Sequence, residues 1–183
     1  MTVTTMNSIR KASQTIREHV KHTPLIRSDY LSKLCRCSSY LKLENQQHTN
    51  SFKIRGALNK MSQLTSEQKE AGVVTASSGN HAQAVALAAQ ILGIHVIIVV
   101  PEQVSKAKLE KMREYSVEVV LGDGFDEVEP KARSIAGEQG KSYISPYNDY
   151  EVISGQGTMG LKYFRTLIVS TPSSCQLVKE DSL

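Results

Sequence analysis

The chain has 183 residues, with 22 lysines and arginines against 18 aspartates and glutamates, a formal net charge of +4 and no tryptophan. Hydrophobic residues make up 40% and charged residues 22%, an ordinary globular composition that is too apolar for a disordered chain. The basic residues form no run of five, aromatics are few, and the longest apolar stretch, around Val96–Val100, is far short of a bilayer; nucleic-acid, fibrous and membrane classes are set aside.

In chain order, Ile9, Ala12, Ile16 and Val20 recur at helical spacing and predict a first helix. The same N-terminal stretch lacks acids before Glu18 and is rich in Ser and Thr, a faint transit-peptide signature, so a mitochondrial location stands as the alternative to the cytoplasmic one. An extended Thr23-Pro24-Leu25 segment, a short helix over Asp29–Leu34, a strand over Ser39–Glu44 and a helix over Ile54–Gln63 follow. β-rich runs then begin at Val73, His95, Val117 and Ser142, separated by helical patterns over Ala82–Leu92, Lys106–Tyr115 and Phe125–Gln139. Gly93 is placed to cap the first of these helices. Strands alternating with helices at this interval imply right-handed βαβ units and an open parallel sheet. The fold class expected is α/β.

Three divisions follow. Residues 1–66 hold too few strands for a core of their own and read as part of a second domain whose remainder comes after residue 150; residues 67–150 read as a small α/β domain, and residues 151–183 as the start of that remainder. Cys35 and Cys37 in C-x-C spacing, with Cys175 alone, match no zinc pattern and read as free thiols of a reducing compartment; no metal site is expected.

Three segments could carry chemistry. In Ser51-Phe52-Lys53-Ile54-Arg55-Gly56-Ala57 a lysine stands between two apolar side chains at a helix start. Partial desolvation there lowers an amine pKa and yields a nucleophile able to form a Schiff base; a solvated surface lysine is the alternative. Thr75-Ala76-Ser77-Ser78-Gly79-Asn80-His81 joins a strand to a helix, so backbone N–H groups at the helix start face an anion such as a carboxylate or phosphate; a plain N-cap by Ser77 or Ser78, with a packed His81, is the alternative. Gly155-Gln156-Gly157-Thr158-Met159-Gly160 matches the letters of the dinucleotide fingerprint, but a loop rather than a buried strand precedes it and Glu180 lies in a ragged tail, so no nicotinamide site is expected.

Together, His22-Thr23-Pro24-Leu25, Lys42-Leu43-Glu44-Asn45, the Lys53 segment, Ser77-Ser78-Gly79-Asn80-His81-Ala82-Gln83 and Ile153-Ser154-Gly155-Gln156-Gly157-Thr158 stand in an order that resembles the threonine/serine dehydratases (ammonia-lyases) and serine racemases. These are pyridoxal 5'-phosphate enzymes of the tryptophan-synthase-β-like fold, fold type II. The resemblance implies a parallel-sheet small domain and deamination of L-threonine or L-serine to a 2-oxo acid and ammonia. By it, Lys53 is the Schiff-base lysine that moves the α-proton, Phe52 packs beside the cofactor and Asn80 hydrogen-bonds its phenolic oxygen. Ser77, Ser78, Gly79 and His81 then form the loop that grips the substrate carboxylate. Serine at Ser78 is shared with the racemases, in which that side chain faces the cofactor opposite the lysine and returns the proton, so racemisation is the alternative outcome. The implied partners are a small amino-acid substrate and further copies of the chain, with neither nucleic acid nor membrane.

Departures from the family pattern carry expectations of their own. Asn50 replaces the usual glycine and can take a left-handed turn in its place, and Ser116-Val117 replaces a pair of small residues. No glycine follows Gly160, so the family's glycine-rich phosphate loop and its later pyridine-contacting residue have no counterpart. The expectation is a truncated product with a partial large domain, weak cofactor binding and exposed apolar faces on residues 1–66, or an inactive remnant that binds a partner.

Overall fold

The computed structural model describes residues 3–124 and 126–167. Eight α-helices and six strands are placed among them: α1 Met6–Ile16, β1 Leu25–Arg27, α2 Asp29–Cys35, β2 Tyr40–Lys42, α3 Lys53–Ser62, α4 Ser66–Ala71, β3 Val73–Ala76, α5 Asn80–Leu92, β4 Val96–Pro101, α6 Lys106–Arg113, β5 Glu118–Gly122, α7 Val128–Glu138, β6 Ser142–Tyr143 and α8 Tyr150–Leu167.

The sheet that organises the molecule has the order β5-β4-β3-β6, with every pairing parallel. Its strands alternate between two apolar faces, as a pleat of period two requires. Val73, Val96, Ile98 and Val100 face α5, and Val74, Ile97 and Val99 face Val128, Ala132 and Ala136 of α7. All six residues of β4 are buried, which accounts for the unbroken apolar run Val96–Val100. This is the α/β sheet that the strand spacing predicts.

α5 is alanine-rich for a packing reason. Ala82, Ala84, Ala86, Ala88 and Ala89 are buried between the sheet and α3, and their small side chains let the helices approach. The α3 face made of Ile54, Ala57, Leu58 and Met61 is wholly buried, because α3 packs against both α5 and α8. Ile16 and Ala12 of α1 are buried too, with α1 lying along α8. The expectation of open apolar faces on residues 1–66 is corrected for α1 and α3, where one cluster runs from Ile16 through Ile54 and Met61 to Val85, Ile98 and Ile144, whereas Val3, Met6, Ile26, Tyr30 and Leu34 stay exposed.

Local chemistry sets several boundaries. Thr65 and Gln68 form a capping box that starts α4, a short helix the hydrophobic period does not reveal. Gly72 and Gly93 follow α4 and α5 with positive φ, Gly93 in the left-handed conformation that a C-cap needs. Asn50 has φ 52°, the left-handed turn its identity permits in place of glycine. The Asp149 carboxylate accepts the N–H groups of Glu151 and Val152 and starts α8, so the loop reading holds up to that residue. Phe125 and Cys175, and the acid Glu180 of the dinucleotide comparison, lie outside the described residues. Among the described residues no helix is long and apolar enough to cross a membrane.

The glycines of the G-x-G-x-x-G letters lie inside α8. A Cβ on Gly155 would stand 2.5 Å from the Arg55 carbonyl oxygen, and one on Gly157 would stand 2.8 Å from Ile9. Gly155 and Gly157 thus serve helix packing against α3 and α1.

Candidate active site

The sheet topology selects one place. From β3 the chain crosses to β4 and β5 on one side, while β6 pairs with β3 on the other, so the connections part between β3 and β6. A crevice outside the carboxyl ends of strands at such a switch point is where open α/β sheets hold ligands. The segments leaving β3 and β6 there are Ser77–Gly79 and Ile144–Asn148. α3 brings Lys53 to the same place.

Lys53 is the first residue of α3. Its N–H points at Ser51 Oγ (3.4 Å), and its amine donates to the Pro146 carbonyl at 3.0 Å across 93 residues of sequence. The amine also lies 5.4 Å from the centre of the Phe52 ring, and both residues are half-buried. Of the two apolar residues flanking the lysine in the sequence, Phe52 lies near its amine, and the Pro146 carbonyl is an added partner.

Opposite stands the start of α5. Ser77 N–H donates to Val99, and Gly79 N–H donates to Ser77 Oγ at 3.2 Å. Gly79 is the N-cap residue and supplies no side-chain cap, so the first N–H groups of α5 have no acceptor among the described residues. Ser77, Ser78 and Gly79 are half-buried and Asn80 is exposed, which leaves this positive helix end open to an anion.

His81 is placed differently from its loop neighbours. It is 3% exposed, and its Nε2 lies 3.3 Å from the Ile144 carbonyl, which can only accept, so Nε2 carries the proton. Its Nδ1 is buried without a hydrogen-bond partner. Burial pushes its pKa down to about 4, the Ile144 carbonyl opposes this, and the charge of nearby Lys53 adds to it. The imidazole is neutral at physiological pH and belongs to the support of the loop.

A further group went unassigned in the sequence. Arg55 donates to both Glu44 oxygens at 2.8 Å, Thr23 Oγ1 donates to Glu44 Oε1 at 2.6 Å, and the Lys42 amine donates to the Thr23 carbonyl and lies 3.9 Å from Glu44. Burial pushes the Glu44 carboxyl up, but hydrogen bonds from Arg55 and Thr23 and the two cations outweigh it and hold it below the usual range. This clamp ties the first turn of α3, and hence Lys53, to β2. Lys42 and Glu44 at alternate positions are visible as a motif; the pairing of Glu44 with Arg55, 11 residues further on, is not.

The residues fit pyridoxal phosphate: an amine beside a ring and an uncapped helix start meet at one crevice. Residues 16–170 match the family of pyridoxal-phosphate dependent enzymes, and the chain belongs to it. It is 44% identical over 162 residues to the catabolic L-threonine dehydratase TdcB of Staphylococcus aureus, covering 87% of this chain and 47% of that one. The L-threonine ammonia-lyase of Thermotoga maritima is 45% identical over 164 residues, covering 89% of this chain and 41% of its own length. Among solved structures, maize serine racemase superposes with a TM-score of 0.84 at 36% identity, over 89% of this chain and 50% of that one. The chain thus spans about half the length of the relatives it matches, and its fold is that of fold type II enzymes of this class.

Proposed function

We propose that this chain carries the lysine-bearing half of a pyridoxal-phosphate ammonia-lyase site acting on small β-hydroxy amino acids, L-threonine and L-serine. The observation that carries the reading is the convergence of Lys53 and the uncapped start of α5 at the switch point of the sheet. The names of the relatives, dehydratase and ammonia-lyase, give the reaction class.

Pyridoxal phosphate, when bound, supplies an electron-accepting ring that stabilises charge at the substrate's Cα. Lys53 holds the cofactor and takes the α-proton on Nζ, Phe52 packs beside it and Asn80 hydrogen-bonds its ring oxygen. Ser77, Ser78, Gly79 and the main chain of His81 seat the carboxylate against the positive end of α5. That seat orients the amino acid so that its Cα–H bond faces Lys53. The division of the chain at residues 66 and 150 belongs to the same reading, with Lys53 and the Ser77–Asn80 loop on opposite walls of a crevice between two domains.

Racemisation is the second reading, favoured by the hydroxyl of Ser78 and by the likeness to maize serine racemase. A proton returned by Ser78 Oγ to the face away from Lys53 inverts Cα.

The test is a spectrum of the purified chain with pyridoxal phosphate, followed by borohydride reduction and peptide mapping. A reduced pyridoxyl label on the Lys53 peptide, absent from Lys53→Ala, supports the reading. A folded chain that takes no label at Lys53 rejects it.

A further inference from the structure

One carbonyl oxygen receives donors from both ends of the candidate anion loop. Thr75 Oγ1, near the end of β3 before the loop, donates to Ile144 O at 2.8 Å, and His81 Nε2, in the first turn of α5 after it, lies 3.3 Å from the same atom. Thr75 is fully buried and His81 nearly so. Ile144 is itself anchored, because its N–H donates to Val74 O at 2.8 Å. Two residues further on, Pro146 O receives the Lys53 amine, and Ser145 Oγ accepts the Asn148 N–H at 3.0 Å, which stiffens the turn.

We infer that the Ile144 carbonyl, gripped by Thr75 and His81, is a positioning staple that holds the Ala76–Asn80 loop in its anion-accepting shape and keeps it in register with Lys53. An uncapped helix start gains by relaxing toward side-chain or water acceptors, so holding its N–H groups outward needs a restraint elsewhere. The staple supplies it from beneath the loop, where water does not compete. Thr75 and His81 are positioning residues, since neither side chain faces the open end of the loop. The inference rests on the proposed function in one respect, the identification of the loop's ligand as a carboxylate.

The experiment is amide hydrogen exchange and acetate titration by NMR on the full chain, comparing Thr75→Val, Thr75→Ser and His81→Ala. Val is close to Thr in shape and removes only the donor. With one hydrogen bond of ordinary strength lost, exchange of the Ser77, Gly79 and Gln83 amides rises about fivefold to tenfold. The Val85 and Ala88 amides in the middle of α5 stay unchanged, and Thr75→Ser restores the loop. His81→Ala reproduces the loosening, with the α5 amides reporting that the helix remains folded. Acetate shifts the Ser78 and Asn80 amides, and Thr75→Val weakens that binding about fivefold. Unchanged exchange at the loop in Thr75→Val, or an equal rise throughout α5, overturns the staple. Acetate that moves no loop amide in the unaltered chain counts against the carboxylate reading alone, because the exchange data still decide the staple.

Discussion

Gly155 of α8 lies against the backbone of Arg55 and Gly56 in α3, so close that a Cβ on Gly155 would meet the Gly56 Cα at 2.7 Å. A Cβ on Gly56 would in turn meet the Val152 carbonyl oxygen at 2.8 Å. The contact is reciprocal, and it brings the helix bearing Lys53 directly onto α8.

Gly155→Ala should therefore destabilise the fold by about 1–3 kcal/mol, the usual cost of overpacking where backbone cannot yield. Gly160, in the same helix, has nothing within 4 Å of its Cβ position, and Gly160→Ala should stabilise by about 0.5–1 kcal/mol through helix propensity. Urea unfolding of both variants checks the pair of signs. Equal effects would refute the close crossing.

The Glu44–Arg55 clamp should outweigh every surface ion pair. Glu44→Gln leaves the buried Arg55 and Lys42 cations without a counter-charge and should cost about 3–5 kcal/mol. Arg27 and Asp29 approach more closely, at 2.6 Å, but their side chains are 52% and 78% exposed, so Asp29→Asn should cost less than about 1 kcal/mol. Thermal denaturation distinguishes these, and a similar loss in both would show that the clamp contributes no more than a surface pair.

Stability should fall in mild acid. His81 has its folded pKa lowered to about 4, against an unfolded value near 6.5, so the unfolded chain binds more protons between those limits. The His81 contribution is fully present above about pH 6.5 and is lost as pH drops toward 4, worth at most about 3 kcal/mol. Glu44 acts in the same direction at lower pH: its folded pKa is depressed, so its contribution is present above the unfolded carboxylate range and lost as pH falls through the folded value. Denaturation midpoints measured from pH 7 to 4 should decline in the native chain and stay flatter in His81→Gln over the upper part of that range. Parallel curves would show that His81 is not buried in neutral form.

On the proposed function, Ser78→Ala should separate the two outcomes. Release of 2-oxo acid and ammonia from L-serine should persist, since Lys53 takes the α-proton in both. Formation of D-serine should fall by about a hundredfold or more, the range attributed to one positioned proton donor. Chiral chromatography of the reaction mixture reads both products, and D-serine formation at the native rate would remove Ser78 from that role.

Much of the architecture is legible along the chain. The β-rich runs beginning at Val73, His95, Val117 and Ser142 are all strands, and the helices between them follow the expected order, because alternation of period 2 and 3.6 is local information. Lys53 at a helix start and the serine-glycine turn before α5 are equally local. α4 escapes because six residues carry little periodicity, although Thr65 and Gln68 stand at capping-box spacing.

By itself the sequence determined the α/β class and the family, since the strand and helix periods and the motifs that carry them depend on neighbours within a few positions. Only the tertiary structure decided that Pro146 takes the Lys53 amine, that Ile144 holds both Thr75 and His81, and that Arg55 closes on Glu44. It also decided that Gly155 and Gly157 of α8 serve packing, a role their spacing does not reveal. The hydrogen bonds among these contacts join positions 11 to 93 residues apart, and desolvation, which makes them strong and shifts His81 and Glu44, exists only once the surrounding helices have closed.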